Sequence, residues 1–379
     1  MRNNTKTRKF NFEIDPKFVE YFDGMHQVFL YLVDECQLNC SQCLYKLDNN
    51  FYLARRDIDP KQALCMIEDF FELGARKLTL MGGEPTLYRK SEKNQPLFDL
   101  IEKANALGYE YVRIDTNGQF EDGSLLLAHP SMRKLDEITF SLDGPTAQIN
   151  DLVRGEGSFD CAVENIKCAV DLGYTVNVTC CIHKGLVERN AEGELYISQM
   201  AHFVSELGVK VLNFHDLFKG GIPRDHWTGD NDISIDKWFE VWTGMQKNIE
   251  SGIYSIPLRI PQSFVTEEDF VGDPEYYGYC SVKTGDRILV HPNGIMRVCS
   301  LMIGTPYGIA RYHENEIYWD DGYTNEMQSH DINTNTPCTN QVKGDAYGCM
   351  KPTCVSFKPK QNEFVWKLKL DWERRRYNG

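Results

Sequence analysis

The sequence predicts an α/β protein: strand–helix units in series that build a parallel sheet, followed by a small C-terminal domain stapled by metal. Three observations predict it. From Gln27 onward, short apolar runs alternate with amphipathic stretches. Several of the runs are nearly continuous in Val, Ile, Leu, Phe or Thr, as strands buried on both faces should be. After Gly252 the alternation stops, turn residues become dense, and five cysteines enter.

The strand candidates are Gln27–Val33, Lys77–Met81, Tyr111–Asp115, Glu137–Leu142, Thr175–Ile182 and Lys210–Phe214. Helix candidates lie between them at Pro60–Leu73, Gln95–Leu107, Ser124–Lys134, Phe159–Leu172 and Glu194–Leu207. Four of these end near a glycine, the usual stop signal. Asp59 before Pro60 reads as an N-cap followed by a first-turn proline. Ser234 to Ile249 reads as a last helix. Six such units imply a sheet curved into a full or partial (β/α)6 barrel of the TIM type, with its chemistry at the C-terminal ends of the strands.

The unusual residues fall at those ends. Cys36-Gln-Leu-Asn-Cys40-Ser-Gln-Cys43 follows the first strand, Gly82-Gly83-Glu84-Pro85-Thr86 the second and Thr116-Asn117-Gly118 the third. Asp143-Gly144-Pro145 follows the fourth, His183 the fifth and His215-Asp216 the sixth. Three thiols within one short loop are soft ligands that suit an iron–sulfur cluster or zinc. They are one ligand short for either, which suggests a cluster with one iron left open for a substrate or cofactor.

Beyond Gly252, Arg287–His291 and Ile295–Val298 flank Pro292-Asn293-Gly294, a strong hairpin signal. Cys280, Cys299, Cys338, Cys349 and Cys354 lie in this part of the chain, whose thin core calls for a staple. Glu363 to Tyr377 has apolar positions at helical spacing and is expected to pack back on the barrel. The expected divisions are an N-terminal extension over 1–25, a barrel over 26–255, a small cysteine domain over 256–360 and a C-terminal helix over 361–379.

Composition excludes other classes. With 41 Lys+Arg against 55 Asp+Glu, the net charge of −14 argues against general nucleic-acid or anionic-membrane binding. The first fifteen residues are polar and basic, unlike a signal peptide or a spanning helix. Thirteen cysteines in 379 residues without an export signal point to metal binding in a reducing cytoplasm rather than to disulfides.

Together these motifs resemble the radical S-adenosylmethionine (SAM) superfamily, over roughly residues 27–217. The resemblance implies that Cys36, Cys40 and Cys43 hold a [4Fe–4S] cluster whose fourth iron is chelated by the amino and carboxylate groups of SAM. An electron from the cluster would then release a 5′-deoxyadenosyl radical, which abstracts a hydrogen atom from substrate. It further implies that Gly82 and Gly83 admit the methionine amine, with Glu84 as its anionic partner. Thr116, Asn117, Ser141 and Asp143 would lie near SAM, and Arg154 would pair with its carboxylate. One departure concerns Gln42, which stands where the family has an aromatic residue near the adenine.

The spacing from Cys280 through Gly294 to Cys299 looks like the opening of the twitch and SPASM auxiliary domains of the same superfamily. Five cysteines suit one auxiliary [4Fe–4S] cluster, with Cys280 and Cys299 joined by members of Cys338, Cys349 and Cys354; tetrahedral zinc is the alternative. Cys65, Cys161 and Cys168 read as core filler. Cys180 and Cys181 are adjacent on the fifth strand, so one faces the barrel interior, where a thiol can return a hydrogen atom to a radical. His183, His215 and Asp216 are candidates for substrate binding or proton movement. Tyr276-Tyr277-Gly278-Tyr279 is a candidate lining for the mouth between domains.

The resemblance implies an oxidoreductase acting on an unactivated C–H position of a ribosomally synthesised peptide, by dehydrogenation or crosslinking. The alternative is a dehydrogenase or epimerase for a sugar, cyclitol or amino acid. A reduced flavodoxin or ferredoxin would supply electrons, and a separate protein would bind a leader peptide.

Overall fold

The computed structural model describes residues 13–14, 16, 24–43, 56–216, 233, 235–260, 264–265, 286–297, 309–319 and 356–357. Seven parallel strands form its centre: β2 (Gln27–Tyr31), β3 (Lys77–Met81), β4 (Tyr111–Thr116), β5 (Glu137–Ser141), β6 (Val176–Ile182), β7 (Val211–Asp216) and β8 (Leu258–Arg259). They are preceded by β1 (Glu13–Ile14) and followed by β9 (Phe264–Val265), β10 (Arg287–Val290), β11 (Ile295–Arg297), β12 (Ala310–His313), β13 (Glu316–Trp319) and β14 (Ser356–Phe357). Twelve of these make one open sheet in the order β1-β13-β12-β11-β10-β2-β3-β4-β5-β6-β7-β8, while β14 pairs with β9. The sheet does not close, so the barrel is partial.

The helices are α1 (Pro60–Leu73), α2 (Gln95–Leu107), α3 (Gly123–Leu127), α4 (Ala147–Arg154), α5 (Ser158–Asp171), α6 (Tyr196–Glu206) and α7 (Ile235–Glu250). Asp59 caps α1 as its sequence requires, its carboxylate accepting from the N–H groups of Lys61 (3.0 Å) and Gln62 (3.2 Å). The helix expected over Ser124–Lys134 breaks into α3 and a single 3₁₀ turn, Met132–Lys134. Pro130 is the cause, because the residue before a proline is pushed out of the helical region. Helix α4 is an element the sequence did not announce, and it carries Arg154 in its last turn.

One face of the sheet is apolar. Leu30, Leu80, Ile114 and Ile138 are successive register partners, and all are buried under the helices. The other face differs from the expectation of strands apolar on both sides. On β4, Tyr111, Arg113 and Asp115 alternate with buried Val112 and Ile114, and Glu137, Thr139 and Asn177 continue that polar face across β5 and β6. An open barrel keeps a wet interior, so its inner rows need not be oily.

The expected hairpin forms between β10 and β11, with Val290 opposite Met296. It does not stand apart: β10 pairs in parallel with β2, Ile288 beside Val28, and extends the barrel sheet at its edge. A second tie runs from β12 to α1, where the Tyr312 hydroxyl donates to the Asp69 carboxylate. Burial pushes the Asp69 carboxyl up to about 6, from 3.8. A carboxyl raised in the folded state holds its proton better there than in the unfolded chain, so stability falls as pH rises from about 4 to about 6. The cost at neutral pH is at most about 3 kcal/mol. Asp69→Asn keeps an acceptor for Tyr312 and removes the charge. Thermal unfolding is expected to show the variant more stable than the parent at pH 8, with the difference vanishing near pH 4.

Candidate functional site

The thiol loop leaves the end of β2 and is pinned at both flanks. Ser41 N–H donates to Val153 O of α4 (2.8 Å), and Cys43 N–H turns back to Cys40 O (3.3 Å). On the approach, Gly83 N–H donates to Val33 O (2.7 Å) and Glu84 N–H to Glu35 O (2.8 Å). This contact explains the glycine pair. A Cβ on Gly83 would lie 2.2 Å from Glu35 O, and one on Gly82 would lie 2.5 Å from Val33 O. The end of β3 is packed against the chain entering the thiol loop so closely that a side chain has no room.

Glu84 is fully buried, and its carboxylate ties the ends of β3 and β4 together. Its Oε1 accepts from the Thr86 hydroxyl (2.8 Å), the Thr86 N–H (3.2 Å) and the Thr116 hydroxyl (2.7 Å), and its Oε2 from the Asn117 N–H (2.7 Å). Burial raises its pKa, and these four donors pull against the rise. Asn117 then reaches the thiols, its Nδ2 lying 3.4 Å from Cys36 Sγ.

Asp143, also fully buried, is the second node. Its carboxylate faces Arg154 Nε at 2.7 Å, takes the Cys181 N–H at 2.7 Å and accepts from the Gln42 carboxamide. Asn150 Oδ1 holds the Asp143 N–H (2.8 Å), and the His183 ring donates to its carbonyl (2.7 Å). Burial alone would lower the pKa of Arg154; Asp143, Cys40 and Cys181 outweigh it, and the guanidinium stays charged. The same burial lowers His183.

Most of the predicted site residues therefore converge. Cys36, Glu84, Thr116 and Asn117 share one set of contacts; Asp143, Arg154 and Cys181 share another, joined to the thiol loop by Gln42. Ser141 ends β5 beside Thr179 of β6. Arg154 is engaged by Asp143, an internal carboxylate. The alternation along β6 separates the two adjacent thiols: Cys180 is fully buried in the hydrophobic core, whereas Cys181 is half-buried and feels the charges of Cys40 and Cys43. His215 and Asp216 end β7 within the strand, with His215 exposed. Cys280, Cys299, Cys338, Cys349, Cys354 and Tyr276-Tyr277-Gly278-Tyr279 lie outside the described residues. Sequence reasoning missed Asn150 and the bond from Gln42 to Asp143, since both are long-range polar contacts made by ordinary residues.

The donor set suits a cluster. Cys36, Cys40 and Cys43 are in no disulfide and are half-buried, and Cys36 feels the charge of the other two. Burial, with Glu84 adding, pushes the Cys36 thiol up to about 12, and binding a metal would displace its proton. Among the described residues, no three His, Cys, Asp or Glu side chains crowd around one point as a single ion requires. Thiolates on a cluster bind different irons, whereas zinc needs four donors at about 2.3 Å from one centre. Gln42 adds a further sign. It is 6% exposed, and its Oε1 is buried without a partner. A buried acceptor beside three thiols is unfinished until something with a donor sits there.

Residues 30–193 match the family described as the radical SAM superfamily. The chain carries a radical SAM domain. That stretch contains the three thiols, Glu84, Asn117, Asp143, Arg154, Cys181 and His183. Radical SAM enzymes use SAM and a [4Fe–4S] cluster, and the residues gathered here fit both. Among curated proteins, the GTP 3′,8-cyclase of Aquifex aeolicus is 28% identical over 243 residues, 63% of this chain and 68% of the cyclase. The mycofactocin maturase MftC of Mycolicibacterium smegmatis is 27% identical over 161 residues, 42% of this chain and 39% of the maturase. The chain thus spans about two thirds of one relative and well under half of the other. Among solved structures, Streptococcus suis SuiB bound to its precursor peptide SuiA superposes with a TM-score of 0.60 at 15% identity, covering 89% of this chain and 76% of SuiB. That likeness is one of fold. Among the described residues, no helix is long and apolar enough to cross a membrane.

Proposed function

We propose that this radical SAM enzyme oxidatively modifies an unactivated C–H position of a ribosomally synthesised peptide, by dehydrogenation or crosslinking. The observation that carries the peptide reading is the extent of the fold shared with peptide-bound SuiB, 89% of this chain, together with the mycofactocin maturase MftC among its sequence relatives. When bound, the cluster and SAM supply a 5′-deoxyadenosyl radical. Cys36, Cys40 and Cys43 hold the cluster. Glu84 fixes the ends of β3 and β4 around the thiol loop, and Gly82 and Gly83 let that loop lie close. Asp143 and Arg154 set a neutral, buried ion pair beside Cys40, and Gln42 offers its free acceptor to the bound cofactor. Ser141, Thr116 and Asn117 line the same rim. Cys280, Cys299 and members of Cys338, Cys349 and Cys354 would hold one auxiliary [4Fe–4S] cluster, which would supply a second redox centre. A reduced flavodoxin or ferredoxin delivers electrons, and a separate protein presents the leader peptide.

The test is to incubate anaerobically prepared protein with SAM, dithionite and any short peptide found encoded near its gene. The expected product is 5′-deoxyadenosine with a peptide lighter by a pair of hydrogen atoms. A peptide of unchanged mass, with 5′-deoxyadenosine still formed, overturns the peptide reading and leaves the radical chemistry standing. The cyclase relatives favour the second reading, a small-molecule substrate. In that case a small molecule, and not the peptide, raises 5′-deoxyadenosine above background. Iron and sulfide analysis checks the auxiliary cluster: Cys280→Ala with Cys299→Ala is expected to lower iron by about half, as for one of two four-iron clusters. Zinc without sulfide at that site contradicts it.

A further inference from the structure

Further from the C-terminal strand ends than the thiol loop, the inner face of β4–β6 carries a polar cluster that no residue role described above uses. Arg113 and Asp115 meet side on, Nη2 to Oδ2 at 3.2 Å and Nε to Oδ1 at 3.0 Å. Arg113 Nη1 lies 3.7 Å from Glu137 Oε1. Glu137 also accepts from the Tyr111 and Thr139 hydroxyls. Asn177 is the register partner of Thr139, so it stands on the same face, and it is 6% exposed with its Oδ1 unpartnered. The cluster holds two carboxylates against one guanidinium. The Arg113 and Asp115 side chains keep 23% and 24% of their surface, although Asp115 Oδ1 and Arg113 Nε are themselves covered. Burial raises the Asp115 carboxyl, with Arg113 pulling it back and Glu137 raising it further. A second positive charge is therefore favourable beside it. Along β4 the rise places Asp115 about 7 Å from Asn117, the residue that touches Cys36.

We infer that this wall is a substrate subsite for a cationic group, an ammonium or guanidinium on a basic side chain. Asp115 and Glu137 supply the charge, and the Asn177 carboxamide oxygen supplies the remaining acceptor. The inference rests on the peptide reading only for the source of the cation, since a small amine offers the same chemistry; SAM itself, through its methionine ammonium, is the other source.

The experiment uses full-length, cluster-loaded protein saturated with S-adenosylhomocysteine, and measures binding of Gly-Lys-Gly, Gly-norleucine-Gly and Gly-Glu-Gly by saturation-transfer NMR. Gly-Lys-Gly is expected to bind at least about tenfold tighter than its norleucine counterpart, as expected for one charge-assisted hydrogen bond in a partly buried site. Asp115→Asn is expected to remove most of that preference. Asn177→Leu, which leaves the ion cluster intact, is expected to weaken lysine binding several-fold with unchanged S-adenosylhomocysteine affinity. Equal affinity for the lysine and norleucine peptides overturns the inference, as does a preference that survives both substitutions. Competition between Gly-Lys-Gly and S-adenosylhomocysteine also overturns it, because the ammonium then occupies the cofactor's place. 5′-Deoxyadenosine formation is read separately, so the loss of this subsite and the loss of the radical SAM reading are distinguishable.

Discussion

Alanine at Cys36, Cys40 and Cys43 together is expected to give protein that has lost about half of its iron and forms no 5′-deoxyadenosine above background. The fold should survive the change. The three thiols are half-buried on a loop held by backbone bonds from Ser41 and Cys43, and the sheet core lies elsewhere. Each single alanine removes one corner of a three-point attachment and leaves too few ligands for a stable site, so single variants should lose the iron of this cluster as well. The measurement is iron and sulfide content beside the circular dichroism melt. Retained iron in the triple variant, after allowance for the C-terminal cysteines, contradicts the assignment; a collapsed melt shows that the loop carries more of the fold than its contacts indicate.

The second large effect belongs to Asp143. Removing its carboxylate leaves Arg154 charged and buried, and it also frees the Cys181 N–H and the Gln42 carboxamide. Asp143→Ala is therefore expected to cost about 3–5 kcal/mol of stability, the range for breaking a buried ion pair by deleting one partner. Arg154→Met should cost a similar amount by orphaning the carboxylate. The double variant is expected to recover much of the stability, because a buried pair replaced by apolar groups has no charge left to solvate. Its SAM affinity should stay low, since Gln42 and the thiol loop have lost their anchor. Denaturant unfolding read beside S-adenosylhomocysteine binding separates the two effects. Additive stability losses in the double variant would show that the 2.7 Å pair is not coupled.

Much of this was legible in the residues, and the part that was not has a physical reason. The strands β2–β7 and the helices α1 and α2 announce themselves, because the core repeats at fixed periods and the caps are local chemistry: Asp59 with Pro60, and Gly74 after Leu73. The thiol loop is equally local. Glu84 was legible as a special carboxylate, but not as a tie between strand ends; its four donors come from Thr86, Thr116 and Asn117, two of them more than thirty positions away. The glycine pair shows the same limit. Its place at a strand end was readable, whereas the 2.2 Å approach to Glu35 is a property of the folded chain. The polar inner face of β4 was written in the alternation of Tyr111, Arg113 and Asp115. It was read past because a parallel strand is usually oily on both sides. Gln42 stood out as a departure, yet its partner Asp143 lies 101 positions away.

The central claim is that three thiols hold a cluster whose remaining corner binds SAM. Low-temperature EPR of the reduced protein, recorded before and after SAM is added, tests it most directly, with Cys280→Ala/Cys299→Ala protein used to remove the auxiliary signal. The account predicts a [4Fe–4S]⁺ signal whose g-values shift on adding SAM and which disappears in the triple alanine variant at Cys36, Cys40 and Cys43. A signal that ignores SAM, or one that persists without those thiols, contradicts it.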